Sequence, residues 1–225
     1  MHIEPGVVDG AKIILSYATA AGALGLTAKL AADSIRNDGG AALVLRSVVT
    51  TALVFCFFEV LPHHPAGVSE VHLVLGSTLL LLFGAGAAAV GLSAGLLLQG
   101  LFFAPFDLPQ YGMNVTTLLV PLWATSLLAA RIIPSRTAYV ELTYRQTLAL
   151  STTYQGGIVA WVAFWALYGH GFSVENLAAV GSFGAAYMSV ILLEPLIDLG
   201  VLAGAKALDR YSRGPMFNIR LHQAA

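Results

Sequence analysis

Met1-His2-Ile3 opens the chain with the makings of a chelator. A histidine placed second puts the α-amine of Met1, the backbone nitrogen of His2 and the His2 imidazole within reach of one metal ion. Two fused rings then close in one plane and leave one position for a ligand from elsewhere. Such a flat nitrogen field suits Ni²⁺ or Cu²⁺ and not Zn²⁺, which prefers a tetrahedron. Co²⁺ uses it less comfortably. The bulky His2 is expected to keep Met1 in place, because it blocks removal of the initiator. A terminal Met-His also arises by chance in many chains, so its meaning depends on what the rest of the sequence places beside it.

The chain has 225 residues, of which 57% are hydrophobic and only 10% charged, with a mean hydropathy of +0.79. Soluble domains carry about 25% charge. This composition predicts an all-α, polytopic membrane helical bundle. Each span takes about 20 apolar residues, so six or seven spans use about 120 to 140 and leave no room for a soluble domain. Residues 1–225 therefore read as a single integral membrane domain, with a chelating segment over 1–10 and a basic tail over 206–225. A net charge of −1 leaves no nucleic-acid footprint. The single cysteine, Cys56, lies in an apolar run, which excludes a disulfide framework. The first ten residues lack a basic segment and carry Glu4, Pro5 and Asp9, so no cleavable signal peptide is expected.

The hydropathy pattern predicts spans at about 11–32, 41–61, 72–84, 87–103, 112–133, 146–168 and 174–202. The third and fourth meet at Gly84-Ala85-Gly86; if they were one helix the count would be six. Residues 33–40 read as a polar loop, Arg46 as a snorkelling residue, and Thr152-Thr153-Tyr154-Gln155-Gly156-Gly157 as an interruption of the sixth span. Small residues at Ala18/Gly22, Ala28/Ala32 and Gly91/Gly95 recur four apart, a spacing that lets helices approach closely in lipid.

Basic residues orient the bundle. With seven spans and an outside N-terminus, the cytoplasmic side holds Lys29, Arg36, Arg131, Arg136, Arg145, Lys206, Arg210, Arg213 and Arg220, against Lys12 alone outside. The C-terminus is then cytoplasmic. This topology places His2, His63, His64, His72 and His170 on the outer face and His222 inside. The terminal chelator and the His-bearing loop 62–72 share a side, and His72, which opens a span, is the candidate fourth ligand. His63 and His64 sit on a proline-flanked loop as a solvated pair or as capture ligands at the mouth of the site. Polar residues that could orient the imidazoles are Asn114, Gln99, Glu70 and Tyr111. Glu59 reads as facing the interface, and Glu194 and Asp198, four apart near the inner end of the last span, as a structural or partner-contact pair. No GxxxxGK[ST] loop occurs, so the chain is expected to hydrolyse no ATP itself, and no HExxH or nucleophile elbow occurs either.

Three stretches together resemble the CbiM/NikM family: Met1-His2-Ile3 with Gly6, then Pro65-Ala66-Gly67-Val68-Ser69-Glu70-Val71-His72-Leu73 with Gly76, then Gly112-Met113-Asn114-Val115. That family comprises the substrate-specific (S) components of energy-coupling-factor (ECF) transporters for cobalt and nickel. The likeness runs from Met1 through the fifth span and weakens beyond it. It implies that Met1, His2 and His72 bind the metal, and that Asn114 lines the site. It also implies transported Ni²⁺ or Co²⁺ with no organic cofactor. The implied partners are a transmembrane T-component, two cytosolic ABC-type ATPases and often a small accessory membrane protein, in a prokaryotic inner membrane. The chain departs from the family pattern at Val7, where an aromatic is usual, and in the extra His63 and His64. Two other readings stay open on the residues alone: a membrane-embedded metal or redox protein that uses the outer histidines, with copper as one option, and a vitamin-type S-component.

Overall fold

The computed structural model describes residues 2–134 and 137–208, with side chains through residue 205. Lipid offers backbone groups no hydrogen bonds, so an apolar chain must satisfy them within helices. Among the described residues, seven α-helices result: α1 (Ile13–Asp38), α2 (Gly40–Phe55), α3 (Gly76–Phe83), α4 (Ala85–Phe102), α5 (Tyr111–Ile132), α6 (Tyr144–His170) and α7 (Val174–Leu208). Among the described residues, five helical stretches are long and apolar enough to cross a membrane: Gly10–Asp38, Gly40–Val60, Ala85–Phe102, Pro105–Ile132 and Val174–Ala205. Ile14, Val44, Val48, Leu192 and Leu196 are exposed on the outside, while Trp165, Tyr154, Tyr187 and Phe58 are enclosed. Helices apolar toward both core and surroundings are those of a bundle solvated by lipid.

The chain is an all-α, multi-pass membrane bundle, and several boundaries differ from the sequence expectation. The polar stretch 33–38 stays helical, and the break falls at Gly39, whose φ of 90° ends α1. Its charges are satisfied locally, Asp33 by Lys29 and Arg36, and Asp38 by Arg46. Arg46 therefore does not snorkel; it is buried against Asp38. Nor is α6 interrupted at 152–157. It is one helix, started by Thr143 and Gln146, whose side chains bond each other's backbone N–H groups.

The third segment departs furthest. Residues 72–75 have no regular secondary structure, and α3 has eight residues, all buried, giving a rise of about 12 Å against about 30 Å of bilayer core. Leu75, with φ of 53°, makes the turn from extended chain into helix. Gly84, with φ of 86°, separates α3 from α4 at the expected break. Non-helical chain beside the bundle is tolerated because protein encloses it: His72, Val74 and Leu75 are buried.

Residues 62–72, read as a loop, contain a hairpin. β1 (His64–Ala66) pairs antiparallel with β2 (Ser69–Val71), in the register His64↔Val71, Pro65↔Glu70 and Ala66↔Ser69. Gly67 supplies the positive φ of 62° at the first turn position. The N-terminal segment docks on β2 as a further strand. Ile3 bridges to Ser69, Glu70 N donates to the His2 carbonyl at 3.0 Å, and Glu4 N donates to the Val68 carbonyl at 3.2 Å. Lys12 Nζ donates to the Gly169 carbonyl at 2.8 Å, and His170 Nε2 meets the Gly6 carbonyl at 3.1 Å. The hairpin, the first residues, the end of α6 and the start of α7 thus share one end of the bundle. Gly86 lies against Leu30 and Ser34 at the opposite end. The expectations for Met1, Arg136 and the side chains of 206–225 lie outside the described residues.

Gly67 carries a further constraint: a Cβ there would overlap the Ala179 carbonyl oxygen of α7. Gly67→Ala combines that overlap with a disfavoured φ, and is expected to cost about 1–3 kcal/mol. Gly156→Ala, in α6 with open space around it, is the control. Thermal unfolding in detergent should show a lower midpoint for the first and an unchanged or higher midpoint for the second.

Candidate metal centre

Two buried imidazoles meet where the docked N-terminal strand passes the end of β2. His2 is 3% exposed and His72 1%, and their ring centroids lie 5.4 Å apart at 57°. Phe58, in the π-helical turn Cys56–Val60 that ends α2, stands edge-on to both, at 6.0 Å from His2 and 5.4 Å from His72. The backbone around each histidine is held firmly. The His2 carbonyl accepts from Ser69 Oγ at 2.8 Å as well as from Glu70 N. Ile3 N donates to Asn114 Oδ1 at 2.9 Å, a buried contact between residues 111 apart in sequence. The His72 carbonyl accepts from Tyr187 Oη at 3.2 Å.

The ring nitrogens are arranged unequally. His72 Nε2 lies 2.9 Å from Glu70 Oε2, so Nε2 carries the proton and donates to the carboxylate. Nδ1 is the lone-pair nitrogen in that tautomer; it is buried and makes no well-aligned hydrogen bond, with the Phe57 backbone beside the ring. A carboxylate on one ring nitrogen with the other free is the arrangement of a metal-binding histidine. His2 Nδ1 lies 2.9 Å from Asp107 Oδ2, close but out of hydrogen-bond alignment, and Nε2 has no partner. Burial lowers the pKa of both imidazoles, keeping them neutral and their lone pairs available. His2, Glu70 and His72 each offer a ligand atom within 4.8 Å of the others. Glu4 stands nearby, its pKa raised by burial and by the charges of Glu70 and Asp107. Carboxylates thus surround two neutral imidazoles, an environment that attracts a cation and supplies nitrogen donors to it.

Of the residues singled out in the sequence, His2, His72 and Glu70 come together. His63 is exposed, and its ring stacks on His72 at 4.9 Å and 18°. His64 is exposed on β1 and makes no ring contact with the pair among the described contacts. Asn114 is buried beside the site but holds the Ile3 backbone rather than an imidazole. Gln99 reaches toward Glu59 at 3.5 Å, and Tyr111 Oη donates to the Ser93 carbonyl at 3.0 Å, so neither orients a histidine. His170 ties down the N-terminal segment through Gly6.

Asp107 and Phe58 were not among the sequence candidates. Asp107 is only 7% exposed and lies in the 3₁₀ turn Pro105–Gln110 between α4 and α5. Its one signal in sequence is an acid flanked by prolines in a short loop between two apolar runs. Phe58 has no signal, being one phenylalanine in an apolar run.

The family model for the CbiM cobalt uptake substrate-specific transmembrane region matches residues 2–209. No curated protein matches the chain. A solved structure described as "Crystal Structure of an transition metal transporter" superposes with a TM-score of 0.69 at 16% identity, covering 94% of this chain and 95% of that one. At that identity the likeness establishes a common fold. The match to nearly the whole described chain, together with paired buried imidazoles beside the docked first residues, makes this a membrane transport component for cobalt or nickel, and the chain belongs to the CbiM family.

Proposed function

We propose that the chain is the substrate-capture subunit of an ATP-driven ECF transporter that imports Ni²⁺ or Co²⁺. The observation that carries this reading is the His2–His72 pair: two buried, neutral imidazoles, with Glu70 fixing the tautomer of the second. Met1 contributes its α-amine and the His2 backbone nitrogen closes the chelate, so His72 Nδ1 completes a planar set of nitrogens. Such a set matches the preference of Ni²⁺ and, less strongly, Co²⁺. The site end of the bundle faces outward, as the distribution of Lys and Arg directs, in a prokaryotic inner membrane. ATP hydrolysis belongs to two cytosolic partners, coupled through a transmembrane T-component and helped by a small accessory membrane protein. The chain is then a transporter subunit and not an enzyme.

A free N-terminus is the sharpest requirement. Acetylating the α-amine, or adding one residue before Met1, is expected to abolish high-affinity Ni²⁺ binding in a titration of the purified chain. Unchanged affinity contradicts the terminal chelate. His72→Ala is expected to weaken binding by more than about 100-fold, beyond what outer partners of ligands cost. His63→Ala, which removes only an exposed stacked ring, should change affinity little.

The supporting carboxylates should matter less than a ligand. Glu70→Gln and Asp107→Asn are each expected to weaken Ni²⁺ binding by about 10–100-fold, measured by competition with a chromophoric chelator. Asn114→Ala leaves the buried Ile3 N–H unpaired, at a cost of about 1–3 kcal/mol. It should loosen the docked strand and lower affinity, whereas Asn114→Asp keeps an acceptor and should retain most of it. Equal loss in both would place Asn114 at the metal rather than at the backbone.

A further inference from the structure

We propose that Glu194 and Asp198 of α7 form a second divalent-cation site inside the bundle, built from oxygen donors and separate from the histidine centre. The proposal goes beyond the uptake reading and does not depend on it. Glu194 is fully buried and Asp198 is 1% exposed. Four residues apart on one helix, they lie one turn apart on the same face. Among the described residues, no Lys or Arg pairs with either carboxylate. Two enclosed carboxylates without a counter-charge are costly, and a bound cation is one way to meet that cost.

The surroundings single out a ligand site rather than a structural pair. Asp198 accepts from Ser77 Oγ at 3.3 Å and from the Thr78 hydroxyl, both in the first turn of α3. Glu194 has two buried oxygens with no well-aligned hydrogen bond, and the Ser77 hydroxyl lies beside them. Tyr154 of α6 is also fully buried, and its hydroxyl too is unpartnered. Its ring presses on the same turn: a Cβ on Gly76 would overlap the phenol carbon that bears the hydroxyl. Two elements therefore meet at Asp198, α7 with its carboxylates and the first turn of α3 with two hydroxyls, and the Tyr154 ring of α6 packs on that same turn. Tyr187, two turns above Glu194 on the same face, holds the His72 carbonyl, so this cluster and the histidine centre share a wall.

The donor set defines the ion. Carboxylate and hydroxyl oxygens suit hard cations such as Mg²⁺, Ca²⁺ and Mn²⁺, not an ion that seeks a planar nitrogen field. One divalent ion balances two carboxylates. Mn²⁺ is the practical probe, because its electron paramagnetic resonance signal separates free from bound ion.

The test is a titration of the detergent-purified full chain with Mn²⁺, on the unaltered protein and on His72→Ala, Glu194→Gln and Asp198→Asn. The unaltered chain and His72→Ala are expected to bind Mn²⁺ saturably, with a rise in the thermal midpoint on binding. Glu194→Gln and Asp198→Asn should each lose about tenfold or more in Mn²⁺ affinity. No saturable Mn²⁺ binding by the unaltered chain overturns the proposal, whether or not the variants fold. So does binding that survives Glu194→Gln and disappears in His72→Ala, since the ion would then sit at the histidines.

Discussion

The structure depends on a strand being added to a hairpin. Residues 2–4 lie along β2 and exchange backbone hydrogen bonds with Val68 and Glu70, while Ser69 Oγ and Asn114 Oδ1 take up the remaining contacts at His2 and Ile3. A chain terminus ordinarily frays. Here the backbone bonds hold it, Ile3 is enclosed in the core, and contacts from His170 and Lys12 anchor residues 6–12 to the end of α6. Without this docking His2 would sample solvent. With it, the imidazole stands 5.4 Å from that of His72.

The remainder of the bundle supports that small sheet. Gly67 allows α7 to pass against the hairpin turn, and Tyr187 of the same helix holds the His72 carbonyl. The α4–α5 turn brings Asp107 to His2, and the end of α2 brings Phe58 to both rings. The non-helical stretch 72–75 then carries the chain from the site into the bundle, where α3 begins. Its lack of helical bonding leaves the His72 carbonyl free to accept from Tyr187. The cost is borne by enclosure: every residue of α3 is buried.

Much of this was legible in the sequence. Apolar composition fixed the class, because few charges and long apolar runs have one stable solution in lipid. The histidines at 2 and 72 were legible because the topology from Lys and Arg put them on one side, and the resemblance gave the same pair. Glu70 was legible as a neighbour of His72 in a short loop. The hairpin was not, since Pro65 and Gly67 advertise a turn whether or not strands flank it. Asp107 was missed because its role depends on tertiary contact between the α4–α5 turn and the first residues. The polar run at 152–157 misled because helices tolerate such residues when their side chains are enclosed; Tyr154 and Gln155 are both buried in an unbroken α6. Asp33 and Asp38 misled similarly, as local ion pairs keep that turn helical.

The central claim is the make-up of the metal's coordination shell, and X-ray absorption at the nickel edge of the Ni²⁺-loaded chain tests it most directly. The account predicts a four-coordinate, nitrogen-only shell, with outer-shell scattering from two imidazoles and no sulfur. A six-coordinate shell dominated by oxygen, or a nickel–sulfur distance from the Met1 thioether, would contradict it.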